Sequence, residues 1–433
     1  MSQRAPSVGR TARLRAFLRE NEHLVAIALS TVLVMAGQGV IAPVLPLFAR
    51  EFGVGTAVIG LTLSVFGLAR LLFNVPFGML SDRYGRRFLL VGGPIVTAVG
   101  MVGSGFAPTI ETLLAWRFVA GAGSSMYMTG AMAYLTDISN EDNRARFIGT
   151  NQGALLLGTA VGPAVGGLVA EFWGLRAPFY VVGVAALGAA LYAWARLPET
   201  RGLQGYEDGV AAADAEDAAN LDGRPGWLRM VRSPDFVAVG FVTFVIFLTR
   251  TGSRQTLVPL LGVEQLDLSP GDLGAIFTGM SLVNVVLLTP AALAADRFGR
   301  KRVIVPSMLA HVLGLVLYAQ SGSLPMFLVA SLALSVAASM AGPAPAAYAA
   351  DIAPANARGL AMGLYRTTGD IGFLVGPPML GALADATSFA WGLYANAVLA
   401  GAAALVFLFV ARESATGTAA SRARRDAEPA RAR

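Results

Sequence analysis

Long apolar runs separated by short charged blocks are the feature that most constrains the fold of this chain. The runs are about 20 residues long, the length that an α-helix needs to cross the hydrocarbon core of a bilayer. They do not alternate polar and apolar residues as the strands of a membrane barrel do. Only 14% of the 433 residues are charged and 55% are hydrophobic. The sequence therefore predicts an all-α integral membrane protein.

Twelve transmembrane helices in two pseudo-symmetric six-helix bundles are predicted from these runs. The first run begins at Leu24 and is too long for the hydrophobic region of a signal peptide, so we interpret it as a retained helix. The predicted spans cover residues 24–47, 57–80, 89–106, 113–136, 147–170, 177–196, 236–260, 272–295, 303–320, 325–350, 359–383 and 389–411. The predicted domains are a basic N-terminus (1–23), an N-terminal bundle (24–198), a linker (199–233), a C-terminal bundle (234–411) and a basic tail (412–433). The linker is rich in Ala, Asp, Glu and Gly without apolar periodicity, which predicts a flexible segment, and low apolar content predicts that the tail is disordered.

The arginines are biased to one side of the predicted membrane. That side holds the basic N-terminus, the linker, the tail and the loops around Arg86 and Arg300, whereas the other side carries little beyond Arg50 and Arg176. By the positive-inside rule, the arginine-rich side is cytoplasmic and holds both termini. The basic residues are arginine except for Lys301, which indicates a GC-rich bacterial genome. We therefore expect a multi-pass protein of the bacterial inner membrane.

Composition excludes several classes of function. The chain has no cysteine and two histidines, so it offers no thiolate or histidine-cluster metal site. The net charge of +6 does not indicate nucleic-acid binding, because the arginines lie at span ends rather than on one soluble face. A phosphate-binding GxxxxGK[ST] loop and a nucleophile–base pair within a span are both missing from the sequence. We expect no enzyme activity, no cofactor beyond a proton gradient, a small-molecule substrate and a monomer in the lipid bilayer.

The two halves of the sequence repeat at a constant offset of 214 residues. The loop motif Asp82 to Arg87 recurs as Asp296 to Lys301. Further pairs at the same offset are Asp137 with Asp351, Arg144 with Arg358, and Gly162-Pro163 with Gly376-Pro377. Repeated six-helix halves are a known plan of secondary transporters, which bind substrate between the halves near the membrane midplane. The repeat therefore favours transport over a membrane receptor or an intramembrane enzyme.

Four motifs resemble those of one transporter family. The loop GMLSDRYGRR, residues 78–87, resembles the signature that the major facilitator superfamily carries between its helices 2 and 3, and AALAADRFGRKR resembles its second copy. Arg117 with Gly121 and Gly123 resembles the family's helix-4 motif, and GTAVGPAVGG resembles the helix-5 motif of its twelve-span drug:proton antiporters. The resemblance covers essentially residues 24–411. It implies the major facilitator fold, and proton-coupled export of a small amphipathic molecule by alternating access. Metabolite or organic-anion transport, as a uniporter or importer, is the alternative, and a receptor is a remote one.

The resemblance also implies that the repeated loop gates the arginine-rich side. Asp82, Arg83 and Arg86 would form a latch with spans 4 and 11, and Asp137 and Arg144 are the candidate partners. The alternative is that these arginines only set the topology. The gating candidates are Gly78, Asp82, Arg83, Gly85, Arg86, Arg87, Asp137, Arg144, Gly158, Gly162, Pro163, Asp296, Arg297, Gly299, Arg300, Gly376 and Pro377.

A glycine stripe in the fifth span is a candidate hinge. Gly158, Gly162 and Gly166 recur every four residues, so they share one helix face and permit another helix to approach closely. Pro163 removes a backbone hydrogen bond and favours a bend. The stripe predicts a hinge for rocking of the halves, with static packing as the alternative.

Ionisable residues inside spans are the candidates for coupling. Each costs about 3 kcal/mol at the membrane centre, so such residues are functional candidates by default. Asp370 is the acid that can be placed firmly inside a span, and Arg366 lies one turn away. This pair, with Arg117, is predicted to couple protons; a permanent ion pair is the alternative. We interpret His311 as a packed polar residue rather than a proton relay.

Arginines and polar residues in the spans predict a cavity. Arg70 and Arg250 lie near the predicted midplane and could attract an anion. The first span holds no acid, which departs from exporters of cationic drugs and favours a neutral or anionic substrate. The candidate cavity residues are Arg70, Asn74, Arg250, Arg254, Asn284, Gln38, Tyr127, Asn151, Gln152 and Tyr365.

Overall fold

The computed structural model describes residues 22–140, 143–200, 230, 232–353 and 358–414. The described residues are predominantly helical and contain no strand, which confirms the predicted fold class. The elements are α1 (Glu22–Ile41, continued by Leu45–Arg50), α2 (Thr56–Tyr84), α3 (Arg86–Phe106), α4 (Ile110–Asp137), α5 (Arg144–Trp173), α6 (Ala177–Arg196), α7 (Pro234–Leu248, Thr249–Leu257 and Val258–Leu266), α8 (Pro270–Phe298), α9 (Arg300–Ala319), α10 (Leu324–Ala341 and Pro343–Ile352), α11 (Arg358–Ala386) and α12 (Phe389–Val410). Most of the predicted N-terminal segment, of the linker and of the tail lies outside the described residues, and Glu22 and His23 belong to α1.

Ten of these elements are long and apolar enough to cross a membrane. The two that are not among the ten are α4 and α11, which are 28 and 29 residues long. Their length suffices for a crossing, but α4 carries Arg117 and a run of glycine and serine, and α11 carries Arg366 and Asp370. Membrane crossing by α4 and α11 therefore stays a prediction, and with it the count of twelve spans.

Several helices extend about one turn beyond their predicted spans. Examples are α2, predicted over 57–80 and observed as Thr56–Tyr84, and α8, predicted over 272–295 and observed as Pro270–Phe298. Hydropathy marks where the apolar run stops, whereas a helix continues through charged residues that tolerate its conformation. The first span, predicted as continuous over 24–47, is interrupted between Ile41 and Leu45, where Pro43 cannot donate a backbone hydrogen bond. Close to the equivalent position 214 residues later, α7 is π-helical from Thr249 to Leu257.

The six helices of each half pack in the same pattern. In the N-terminal half α1 packs on α5 and α6, α4 packs on α2 and α3, and α3 packs on α6. The C-terminal half repeats these pairs with α7 on α11 and α12, α10 on α8 and α9, and α9 on α12. The halves meet mainly through α5 with α8 and α2 with α11.

The two halves touch at the end remote from the arginine-rich loops, which we call the outer end, and part at the arginine-rich end. At the outer end Gly60 of α2 lies against the backbone of Pro377 in α11, and Gly167 of α5 lies against Gly274 of α8. Nearer the arginine-rich end, no atom outside the helix itself lies within 4 Å of where a side chain would begin at Gly78 of α2, Gly149 of α5 or Gly363 of α11. The interior is therefore open towards the arginine-rich end.

Candidate functional site

The first loop motif forms a compact ion-pair cluster at the arginine-rich end, which we call the N-terminal knot. Arg86 begins α3, and its guanidinium donates at 2.9 Å to Asp82 at the end of α2 and at 2.9 Å to Asp137 at the end of α4. The Arg86 and Asp137 side chains are each 3% exposed. Gly85 supplies the left-handed backbone, with φ of +97°, that turns the chain between the helices. The structure thus brings these predicted gating residues together within one half.

Two residues that the sequence analysis assigned to the linker complete this knot. Glu199 accepts hydrogen bonds from the backbone N–H groups of Arg86 at 2.9 Å and Arg87 at 3.1 Å, which places an anion at the N-terminus of α3. Thr200 donates to Asp137 at 2.8 Å. The sequence analysis missed both residues because they follow the last apolar residue of α6. The 214-residue offset could have identified them, since it relates Glu199 to Glu413.

The second loop motif forms an equivalent ion-pair cluster, the C-terminal knot, with corresponding hydrogen bonds and ion pairs. Arg300 bonds Asp296 and lies 3.5 Å from Asp351. Glu413 accepts from the backbone N–H of Lys301 at 3.0 Å, and Ser414 donates to Asp351 at 2.9 Å. Here the Arg300 and Asp351 side chains are 13% and 18% exposed, so this knot is more accessible to solvent than its N-terminal counterpart.

Hydrogen bonds and an ion pair join the two halves at the outer end. Asp385, at the end of α11, accepts from the backbone N–H groups of Thr56 at 2.7 Å and Ala57 at 2.9 Å. Glu171, near the end of α5, accepts from the backbone N–H of Gly271 at 2.7 Å. In addition, Arg50 and Glu264 form a salt bridge of 2.9 Å. The sequence analysis missed these acids because charges at span ends are expected on topological grounds alone.

The paired Gly-Pro motifs of α5 and α11 each contact both halves. Gly162 lies beside the backbone of α1 at Ala36, and Pro163 lies against Gly274 of the other half. Gly376 lies beside Leu248 of α7, and the following proline contacts α2. The predicted hinge positions are therefore the points where each half packs on its own bundle and on its neighbour. Whether they bend stays a prediction.

Polar candidates in the N-terminal half fall into a buried set and a half-buried set. Thr31 of α1 bonds Tyr127 of α4 at 2.8 Å and donates to Asn151 of α5 at 2.7 Å, inside the bundle. Asn74, which is half-buried, accepts from Ser125 at 2.6 Å. Tyr127 and Asn151 thus brace the bundle rather than line its open surface. In the C-terminal half Ser339 of α10, the counterpart of Ser125, donates to Asn284 of α8 at 2.7 Å.

The remaining polar candidates are spread over several surroundings. Gln38 donates to Ser124 at 3.3 Å between α1 and α4, and Gln152 is exposed on α5. Tyr365 is half-buried on α11. His311 bonds the Ser307 carbonyl at 2.8 Å and is buried within its own bundle. These side chains do not converge on one point.

The charged candidates at the centre lie where α2 and α11 begin to part. Gly67 of α2 is packed against Phe373 of α11, and the next turn of each helix presents Arg70 and Asp370. Asp370 lies within electrostatic range of Arg70 and Arg366, and Arg70 within range of Arg250. The four charges therefore come from α2, α7 and α11 and meet across the two halves. Within the part of the chain that the structure describes, none of the three arginines forms a salt bridge with this acid.

Arg117 and Arg254 lie away from this group. Arg117 is buried in the N-terminal bundle, donates to the Thr62 carbonyl at 3.3 Å and stacks 4.6 Å from the centre of the Phe66 ring. Arg254 lies 5.7 Å from the Phe277 ring in the C-terminal half. Each arginine is thus held by an aromatic face, and the coupling role of Arg117 stays a prediction.

A family model and curated relatives match nearly the whole chain. The model described as Major Facilitator Superfamily matches residues 27–261 and 239–432. Multidrug resistance protein 2 of Bacillus subtilis is 25% identical over 85% of this chain and 90% of its own. Quinolone resistance protein NorA of Staphylococcus aureus is 24% identical over 84% of this chain and 90% of its own.

A solved structure shows the same fold. A bacterial homologue of the human lysosomal transporter Spinster, in an inward-facing and occupied conformation, superposes with a TM-score of 0.76. The match covers 92% of this chain and 96% of that one, at 17% sequence identity.

Proposed function

As a member of the major facilitator superfamily the protein is a multi-pass membrane transporter and not an enzyme, and we propose that it couples proton entry to the export of a small amphipathic molecule. The names of the two bacterial relatives concern multidrug and quinolone resistance, which supports export of such compounds. In this proposal the arginine-rich end faces the cytoplasm of a bacterial cell, both termini lie there, and the proton gradient is the driving force.

The position of Asp370 is the observation that carries the coupling. Among the described helices it is the acid that lies far from both helix ends, twelve residues from Arg358 and therefore about 18 Å along α11. It faces Arg70 of the other half at the point where the halves part. An acid that loses or gains its arginine neighbours as the halves rock changes its proton affinity with the conformation, which is what coupling requires.

Alternating access follows from the two ends of the molecule. The outer end is closed by contacts of α2 with α11 and α5 with α8, and the arginine-rich end is open. In this conformation a cytoplasmic molecule can reach the centre. Rocking of the halves about the Gly-Pro contacts of α5 and α11 would close the arginine-rich end and open the outer one, as in other transporters built from two repeated halves.

The test uses everted membrane vesicles with an acid interior and a fluorescent pH probe. We expect an added substrate to dissipate the gradient with the wild-type protein, because its transport into the vesicle lumen is exchanged for protons that leave the lumen. The Asp370→Asn protein should reach the membrane in equal amount and dissipate nothing. Glu111→Gln is the matched control, since it neutralises an exposed acid in the first turn of α4. Normal proton release by Asp370→Asn would remove this acid from the mechanism.

A second candidate, an organic-anion porter, is favoured by the excess of central arginines. Arg70 and Arg366 lie near Asp370 without a salt bridge to it, and Arg250 lies near Arg70, so a bound anion would supply the missing countercharge. A bound anion favours the protonated form of Asp370, and by linkage a bound proton favours the anion, so the two would travel together. Vesicles preloaded with the anion would then lose their acid interior, whereas external addition would do little. The same assay therefore separates the two candidates by the side from which the compound acts.

A further inference from the structure

The contacts that close the outer end are related by the same offset as the loop motifs. The acid at the end of α5, Glu171, corresponds to Asp385 at the end of α11. The backbone donors Ala57 and Gly271 also correspond. Arg50 and Glu264 correspond to each other, so their salt bridge joins two equivalent points of the halves. The outer end is thus closed by one symmetric set of contacts rather than by unrelated ones.

Both acids act on the same kind of group, the start of a helix in the opposite half. The first backbone N–H groups of a helix have no intrahelical acceptor, and the helix dipole makes that end positive. Asp385 satisfies two such groups at the start of α2, and Glu171 satisfies one at the start of α8. Separation of the halves would return these donors and carboxylates to water. Each contact therefore stabilises the closed outer end relative to the open one.

We propose that Asp385 and Glu171 form a paired clasp that sets the balance between the closed and open outer end. The clasp stabilises the conformation in which the centre is accessible from the arginine-rich end. Rocking of the halves must break both contacts together because the same rigid bundles carry them. This role is independent of the substrate and of the coupling ion, so it stands or falls separately from the proposed proton-coupled export.

The absence of cysteine from the sequence allows a direct test. Pro108 lies in the α3–α4 loop, and Gly322 lies at the equivalent place in the α9–α10 loop of the other half; both are exposed at the outer end. Spin labels attached to Pro108→Cys and Gly322→Cys report the distance between the halves by double electron–electron resonance spectroscopy in lipid nanodiscs. We expect one dominant short-distance population in the otherwise unchanged protein.

Neutral isosteres should move this population towards longer distances. Asp385→Asn is expected to raise the ratio of open to closed molecules about two- to five-fold, and Glu171→Gln somewhat less because it loses one acceptor contact instead of two. The double variant should open the outer end further. Asp267→Asn is the matched control, because it neutralises an exposed acid at the same end that makes no contact between the halves among the described residues.

Two results would overturn the proposal. One is an unchanged distance distribution in the double variant while the protein still elutes as a folded species on size exclusion. The other is an equal shift produced by Asp267→Asn, which would indicate a general effect of charge at the outer surface. Asp385→Glu provides a further check, since it keeps the charge and should restore most of the short-distance population even if Asp385→Asn lowers the yield.

Discussion

The two halves are most alike at their arginine-rich ends and least alike at the centre. In the two knots every partner has its counterpart 214 positions away, including Glu199 with Glu413 and Thr200 with Ser414. At the centre Arg70 corresponds to Asn284, and Asp370 corresponds to Leu156. Each knot joins three helix ends of its own half, so the two knots have the same structural role. A single molecule bound between the halves meets each half with a different face, so nothing there favours symmetry.

The halves also differ in how the space between their paired helices is filled. In the N-terminal half the side chains of Arg117 and Phe66 pack between α4 and α2. Their counterparts are Ser331 and Met280, which line a groove of about 410 Å³ between α10 and α8 that is open to the surface. The same backbone arrangement is therefore dense on one side of the molecule and loose on the other. Stability contributions of equivalent residues should differ accordingly.

The largest expected difference concerns the two knot arginines. Arg86→Ala leaves Asp137 buried without its cation, which should cost about 3–5 kcal/mol of unfolding free energy. Arg300→Ala should cost only about 1–2 kcal/mol, because Asp351 is more exposed and lies farther from the guanidinium. The apparent melting temperature in detergent, read by fluorescence-detected size exclusion, should therefore fall much more for the first variant.

A matched arginine in the same kind of loop provides the control. Arg297 is exposed and stacks on Phe298, so Arg297→Ala should leave the melting temperature within the error of wild type. Equal losses of melting temperature for Arg86→Ala and Arg300→Ala would contradict the predicted effect of burial. They would mean that the ion pairs contribute equally whatever their exposure.

The next effect should be the same in both halves. A Cβ at Gly158 would lie 2.6 Å from the Val32 carbonyl oxygen in α1, and a Cβ at Gly372 would lie 2.2 Å from the Phe244 carbonyl oxygen in α7. Because backbone cannot move aside as a flexible side chain does, Gly158→Ala and Gly372→Ala should each cost about 1–3 kcal/mol. Thermal unfolding of the two variants should show similar losses.

Gly153→Ala is the control for this prediction, since no atom lies within 4 Å of the added carbon. It should be neutral or slightly stabilising, as alanine favours a helix over glycine. A loss in only one of Gly158→Ala and Gly372→Ala would show that the helix contacts of the two halves have diverged as the centre has.

The sequence predicted the fold because membrane burial and internal repetition leave strong signals. Apolar runs of span length and the repeat of Asp82 at Asp296 do not depend on contacts between distant residues. The knots were predicted in part, since Arg86 and Asp137 repeat, whereas Glu199 follows an apolar run and looks like linker. The helix ends were placed too early because hydropathy reports the bilayer and not the helical hydrogen bonds.

The candidate site was less predictable because depth in the membrane does not determine which way a side chain points. Tyr127 and Asn151 have suitable depth, yet both point into the N-terminal bundle, where they bond Thr31. Depth alone likewise did not predict that the Arg117 guanidinium stacks on Phe66 inside its own bundle. Only the packing of helices resolves such cases, and a single sequence does not carry it.

The smallest expected effect tests the asymmetric centre and has the opposite sign. The Nε atom of Arg70 is buried and has no hydrogen-bond partner among the described residues, which carries a cost that Arg70→Asn, the residue type of its counterpart Asn284, would remove. We expect a gain of about 1 kcal/mol in unfolding free energy, seen as a higher melting temperature, together with a loss of transport. Arg250→Asn is the control, because Arg250 is exposed and should change stability little. A lower melting temperature for Arg70→Asn would mean that Arg70 holds the halves together, and the asymmetry of the centre would then be structural rather than a feature of the transported molecule.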